Sequence, residues 1–149
     1  MKNQKQISRT PSAEAFTQLI LETFRFNGRL LAAGDRLTKE LGLTSALWQV
    51  LGAINEAPLP VAQIARNMGL TRQSVRRTAN VLKDKGFVEF QENPNHQRAK
   101  LVMLTKQGRN VLDQVTKLQI DWSNNISKRI GADKLKSVIQ TMRNIGERL

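Results

Sequence analysis

The stretch that decides the fold is Val61-Ala62-Gln63-Ile64-Ala65-Arg66-Asn67-Met68-Gly69-Leu70-Thr71-Arg72-Gln73-Ser74-Val75-Arg76-Arg77. Two short helices joined by a tight turn must solve three packing problems, and each leaves a residue type at a fixed offset. A small side chain is needed where the helices cross, and Ala65 supplies it. A positive φ is needed in the turn, which Gly69 adopts without steric penalty. An apolar side chain must tuck back from the second helix, and Val75 does so, with Ile64, Leu70 and Leu82 around it. The spacing predicts a helix over Val61–Asn67, a turn at Gly69-Leu70-Thr71, and a second helix to about Lys85, where Gly86 supplies a left-handed cap.

The second helix carries unusual chemistry for its length. Thr71, Arg72, Gln73 and Ser74 fill its first turn, with Arg76 and Arg77 in the next. At 3.6 residues per turn, Val75, Thr78 and Ala79 or Leu82 face inward. Arg72, Gln73 and Arg76 are left facing out, and Arg77 lies to one side. Arginine pairs bidentately with guanine and glutamine with adenine, while serine and threonine reach phosphates or base edges. Free amides at a helix start also favour a phosphate. Any one of these arginines has a solvated charged face as its alternative reading; the cluster argues for double-stranded DNA. Thr71, Arg72, Gln73, Ser74 and Arg76 are the major-groove candidates, and Arg77 is a candidate for the DNA backbone.

Beyond Gly86 the pattern turns β-rich. Phe87–Gln91 and Leu101–Thr105 read as two strands of a hairpin. Its connection, Glu92–Lys100, is polar, basic and too long for a tight turn, so it forms a projecting wing. Arg98 is the candidate for the minor groove, where the potential is negative, and Lys100 for the backbone. His96, the one histidine, is a candidate for orienting Arg98 or bonding a phosphate; an idle exposed histidine is its plainer reading. Without a second His or any Cys, it has no companions for a metal site.

Working outward, Thr10-Pro11 is a helix start, with threonine as cap and proline in the first turn. From there Phe16, Ile20, Phe24, Asn27, Leu31, Gly34, Leu37 and Leu41 recur at helical spacing, predicting one amphipathic helix of about 25 residues. Gly42-Leu43-Thr44 breaks it. A helix near 45–56 follows, with Leu43 and Trp48 set to pack around Thr44; Pro58 and Pro60 stop it. At the other end Thr105 caps a helix striped by Leu112, Val115, Leu118, Trp122, Ile126 and Ile130. Gly131 breaks it, and Leu135, Val138, Met142, Ile145 and Leu149 carry a last helix. These stripes exceed what one small lobe can cover, so a homodimer is expected.

Composition supports the same reading. The 149 residues hold 24 Lys and Arg against 12 Asp and Glu, a formal charge of +12 with a sequence pI near 11.0. Residues 60–110 contain ten basic and three acidic residues, giving +7 there and +5 over the remaining 98. A polyanion should therefore sit on the middle of the chain. Cysteine is absent, which excludes disulfides, thiolate metal sites and cysteine nucleophiles. No phosphate-cradling glycine loop, paired metal ligands or nucleophile–base pair is found, so an enzyme is not expected. No cofactor or metal is expected either. No apolar run suits a membrane span or signal peptide, so the expected location is cytoplasmic.

The run from Val61 to Val88, including Leu82-Lys83-Asp84-Lys85-Gly86-Phe87-Val88, resembles the winged helix of MarR-family transcription regulators. So does Asn93-Pro94 followed by Arg98-Ala99-Lys100-Leu101-Val102-Met103-Leu104-Thr105-Lys106-Gln107-Gly108. The order and length of the flanking helices match as well. The resemblance implies a mainly α fold with a small β-hairpin: a winged helix-turn-helix lobe plus N- and C-terminal dimerisation helices. A flexible basic tail would cover 1–11 and a single MarR-like domain 12–149. Within it, 12–42 and 106–149 would dimerise and 43–105 would form the DNA-binding lobe. It also implies a homodimeric repressor on a pseudo-palindromic operator, with Arg72, Gln73 and Arg76 reading the groove and Arg98 on the wing. Many members bind a small aromatic or anionic ligand; Arg25, Arg29, Trp48 and Trp122 are the candidates here. In the family an acidic residue often stands two positions before the wing arginine; His96 occupies that position. The competing reading is an architectural DNA-binding protein with little sequence specificity, which the same basic patch would serve.

Overall fold

The local signals at the start of the chain are realised in atomic detail. The Thr10 hydroxyl oxygen accepts the Ala13 amide at 3.1 Å, Pro11 occupies the first turn, and helix α1 runs Pro11–Thr38. The computed structural model describes residues 8–149. Most of the expected basic tail therefore lies outside the described residues. Next come a 3₁₀ turn, Lys39–Leu41, and helix α2, Ser45–Ala53. Strand β1 (Leu59–Pro60), helix α3 (Val61–Met68) and helix α4 (Arg72–Asp84) follow. Strands β2 (Val88–Gln91) and β3 (Leu101–Leu104) then precede helix α5 (Lys106–Ser127) and helix α6 (Ala132–Gly146). The fold is mainly helical with one small antiparallel sheet, as the sequence predicts.

The chain forms two compact units, one up to Ala46 and the other from Leu47 onward. In the first, α1 ends in the 3₁₀ turn, which Gly42 closes at φ +69°. The chain then turns back along α1. The buried Thr38 hydroxyl lies 2.9 Å from the Gly34 carbonyl and 3.1 Å from that of Leu43. The Ser45 amide donates to the Asp35 carboxylate at 2.7 Å, and its hydroxyl to the Leu31 carbonyl at 2.6 Å. An acidic oxygen thus meets a free amide at the start of α2, where a negative charge is favoured.

The core of the second unit is aliphatic. Val50, Leu51, Ile64, Val75, Ala79, Leu82, Val102 and Val115 are fully buried. Each large side chain among them contributes about 1.5–3 kcal/mol by leaving water. Helices α3 and α4 pack as the sequence requires: Ala65 and Val75 are buried, and Gly69 adopts φ +63°. The Leu70 amide donates to the Ala65 carbonyl at 2.9 Å, closing the turn.

The expected two-stranded hairpin is in fact part of a three-stranded sheet in the order β1-β3-β2. Leu59 pairs with Val102 and Pro60 with Leu101, while Phe90 flanks Val102 from the other side. Proline fits because β1 is an edge strand, where a missing N–H costs no ladder bond. Several boundaries also differ from expectation, β2 beginning at Val88 rather than Phe87 and α3 reaching Met68. Helix α2 ends at Ala53 rather than near 56, with 54–57 forming the turn into β1. Strand β3 ends at Leu104 rather than Thr105, and Thr105 caps α5 as expected, accepting the Gly108 amide at 3.0 Å. Helix α5 stops at Ser127 rather than reaching Ile130, and Gly131 at φ +87° separates it from α6. Among the described residues, no helix is long and apolar enough to cross a membrane.

Candidate nucleic-acid interface

Helix α4 is held by one face only. Val75, Ala79 and Leu82 are buried and Thr78 is half-buried; the remaining side chains of the helix are exposed. Its start is fixed by Thr71, whose hydroxyl oxygen accepts the Ser74 amide at 3.1 Å. Thr71 therefore serves first as the cap of α4, with Arg72, Gln73 and Ser74 exposed immediately after it. The spacing of Arg72, Arg76, Asn80 and Lys83 sets these four on one edge of the helix. Gln73 and Arg77 follow on the next strip around the axis.

The wing has a defined frame. Asn93 to His96 form a turn closed by the His96 amide on the Asn93 carbonyl at 3.1 Å, and the Asn93 side-chain oxygen accepts the Asn95 amide at 3.0 Å. A second turn follows directly, with the Ala99 amide on the His96 carbonyl at 3.1 Å. What reads in sequence as one long connection is thus two fused tight turns, with Asn, Pro and Asn at positions that favour them. At the base of the wing Lys100 and Glu92 form an exposed ion pair at 3.7 Å. Among the described residues the Arg98 guanidinium has neither a hydrogen bond nor an ion pair, and no hydrogen bond links it to His96.

Helix α4 and the wing together form the walls of an open groove of about 520 Å³. Arg72, Arg76, Asn80 and Lys83 line it from the helix, and Phe90, Arg98, Ala99 and Lys100 from the wing and β2. Pro60, Val61 and Ala62 complete it. Five cations line this groove and no carboxylate does, an arrangement suited to a polyanion. Of the sequence candidates, the structure brings together Arg72, Arg76, Arg98 and Lys100. Thr71, Gln73, Ser74, Arg77 and His96 are exposed but do not line the groove. Sequence reasoning missed Asn80, Lys83 and Phe90. The helical repeat from Arg72 pointed to the first two; nothing local pointed to Phe90.

The ligand candidates occupy separate places. Arg25 makes an exposed ion pair with Glu22 at 3.4 Å, and Arg29 is exposed, both on α1. Trp48 on α2 and Trp122 on α5 are half-buried. Among the described residues no group of three His, Cys, Asp or Glu is placed to hold a metal.

A model of the MarR family matches residues 41–99, which contain α2, α3, α4 and the wing turns. An uncharacterized protein of Mycobacterium tuberculosis is 32% identical over 131 residues, covering 88% of this chain and 92% of its own. The HTH-type transcriptional regulator TcaR of Staphylococcus aureus is 28% identical over 134 residues, covering 87% and 88% respectively. The fold is shared with the transcriptional repressor CouR, solved bound to a 23-mer DNA duplex, at a TM-score of 0.77 and 21% identity. That match covers 93% of this chain and 99% of CouR. The chain is a member of the MarR family, whose proteins are transcription regulators rather than enzymes.

Proposed function

We propose that the protein is a homodimeric, sequence-specific double-stranded DNA-binding regulator that acts as a repressor at a pseudo-palindromic operator. The observation that carries this reading is the groove in which α4 and the wing present Arg72, Arg76, Lys83, Arg98 and Lys100 without a carboxylate among them. Helix α4 enters the major groove, with Arg72, Gln73 and Arg76 reading base edges and Thr71 and Ser74 at its leading turn. Arg77 and Lys100 contact phosphates. The wing follows the adjacent minor groove, with Arg98 inserted and His96 beside it. CouR's capture on a DNA duplex supports the same use of the shared fold.

Residues 43–105 form the DNA-binding lobe in this reading, and 12–42 and 106–149 the dimerisation helices. Support comes from apolar side chains left in water on each helix. Phe24 is 70% and Phe26 58% exposed on α1; Ile126 is 54% exposed on α5 and Val138 55% on α6. A second copy of the chain is the economical cover for faces of that kind. A small aromatic or anionic ligand modulates DNA affinity, with Arg25, Arg29, Trp48 and Trp122 as its candidate contacts. Acting on DNA implies a cytoplasmic location.

The test is a titration of the purified protein on DNA from upstream of its own gene, beside a scrambled duplex, at several salt concentrations. A dimer neutralising about eight phosphates gives log K falling against log salt with a slope near −7. A preference of roughly a thousandfold or more for the upstream DNA establishes sequence reading. Equal affinity for both duplexes favours the architectural reading, and no binding to either overturns the DNA function.

A further inference from the structure

We propose that Phe90 is a positioning residue that holds Lys83 against a phosphate, so that the last turns of α4 grip the DNA backbone while its first turns meet the bases. The proposal rests on the DNA-binding reading above. The Lys83 ammonium lies 5.6 Å from the centre of the Phe90 ring, and both residues line the groove. Lys83 shares the edge of α4 occupied by Arg72, Arg76 and Asn80, and 11 residues of helix carry it about 16 Å from Arg72.

The kind of partner matters. Among the described residues the Lys83 ammonium has no carboxylate and no hydrogen bond; the ring is its one partner. The face of an aromatic ring attracts a cation through its quadrupole without neutralising it. Lys83 therefore keeps its full charge available to displace counterions from a phosphate, with its N–H donors open. Lys100, by contrast, shares its charge with Glu92 at 3.7 Å. Lysine on a free four-carbon stem loses rotamer freedom on meeting a phosphate. The ring removes part of that loss in advance. Phe90 is fixed by its own register, paired with Val102 in the sheet and half-buried.

The occupant that fits at Lys83 is a phosphate of the duplex backbone: the Lys83 ammonium and the Asn80 amide line that end of the groove, and no carboxylate lines it with them. Interactions of that kind position a protein and carry no base preference.

The experiment compares four full-length proteins, wild type, Lys83→Ala, Phe90→Leu and Phe90→Trp, on the upstream duplex and the scrambled one over a range of salt. Lys83→Ala should make the salt slope shallower by about 0.9 for each phosphate it no longer neutralises, equally on both duplexes. Phe90→Leu should weaken binding about two- to fivefold, the size of an exposed cation–π interaction, and Phe90→Trp should restore it. An unchanged slope for Lys83→Ala, with steep wild-type binding, overturns this proposal and leaves the DNA-binding reading intact. Wild-type affinity for Phe90→Leu, or Phe90→Trp behaving like a folded Phe90→Leu, overturns the positioning role. Should Phe90→Leu melt early, Phe90→Trp and Lys83→Ala decide between them: a weakened Phe90→Trp or an unchanged Lys83→Ala slope counts against the proposal. Failure of the wild type to bind either duplex overturns both readings together.

Discussion

Gly108 sets its bare Cα against the backbone carbonyl of Phe87, leaving no room for a β-carbon. The contact joins the first turn of α5 to the turn that ends helix α4. Thr105 reinforces it threefold. Its amide donates to the Phe87 carbonyl at 3.1 Å, its hydroxyl donates to the Gly86 carbonyl at 2.6 Å, and the same oxygen accepts the Gly108 amide at 3.0 Å. A displacement of the first turn of α5 therefore has to move the α4–β2 turn with it.

Gly108→Ala should destabilise the protein by about 1–3 kcal/mol, because the obstructing atom is backbone rather than a flexible side chain. Chemical denaturation followed by far-ultraviolet circular dichroism measures this. An unchanged midpoint would mean that α5 slides freely and that the joint is not tight.

Asp35→Ala should cost about 1 kcal/mol, since it removes the carboxylate that accepts the Ser45 amide at the start of α2. Asp35→Asn keeps an acceptor oxygen there and should recover part of the loss. Equal melting temperatures for all three proteins would remove Asp35 from the account of how α2 begins.

Gln73→Ala should relax base preference at one operator position by about 1–3 kcal/mol while leaving the salt slope as it was. Gln73 is exposed on α4 and carries no charge. Binding to a panel of single-base operator variants reads this out, and an unaltered preference profile would take Gln73 out of base reading.

Arg98→Ala should weaken operator binding by about tenfold and abolish any preference for A·T-rich flanks, without changing stability. The guanidinium has no intramolecular partner among the described residues, so its removal leaves nothing unpaired. Affinity unchanged on both A·T-rich and G·C-rich flanks would end the minor-groove assignment.

Phe24→Glu should give a monomer with its helical content intact, because a side chain already 70% exposed contributes little to the fold of its own chain. Light scattering at micromolar concentration distinguishes the outcomes. A dimer that survives the substitution does not use this face of α1.

The elements that declare themselves in sequence do so because their causes are local. Thr10-Pro11 and Thr105 each start a helix through a hydroxyl that reaches only three residues along the chain. Ala65, Gly69 and Val75 specify the helix-turn-helix through helical spacing and a single positive φ. The basic edge of α4 follows from the same 3.6-residue period, and residues 60–110 concentrate +7 of the chain's +12 charge.

Other features were settled only when distant parts of the chain met. Leu59-Pro60 has no strand period to read, and it becomes a strand because backbone groups more than 40 residues away on β3 pair with it. Arg109 clasps the turn after α2 through two hydrogen bonds to Asn55, 2.6 and 2.7 Å long, across 54 residues of chain. Gly108 reads as an ordinary helical glycine until the Phe87 carbonyl is brought against it. Phe90 reads as one more strand residue until Lys83 stands over its ring. Helical period and capping are short-range and fixed by side-chain type. Sheet pairing, close backbone approach and the meeting of a cation with a ring depend on which surfaces the folded core brings together.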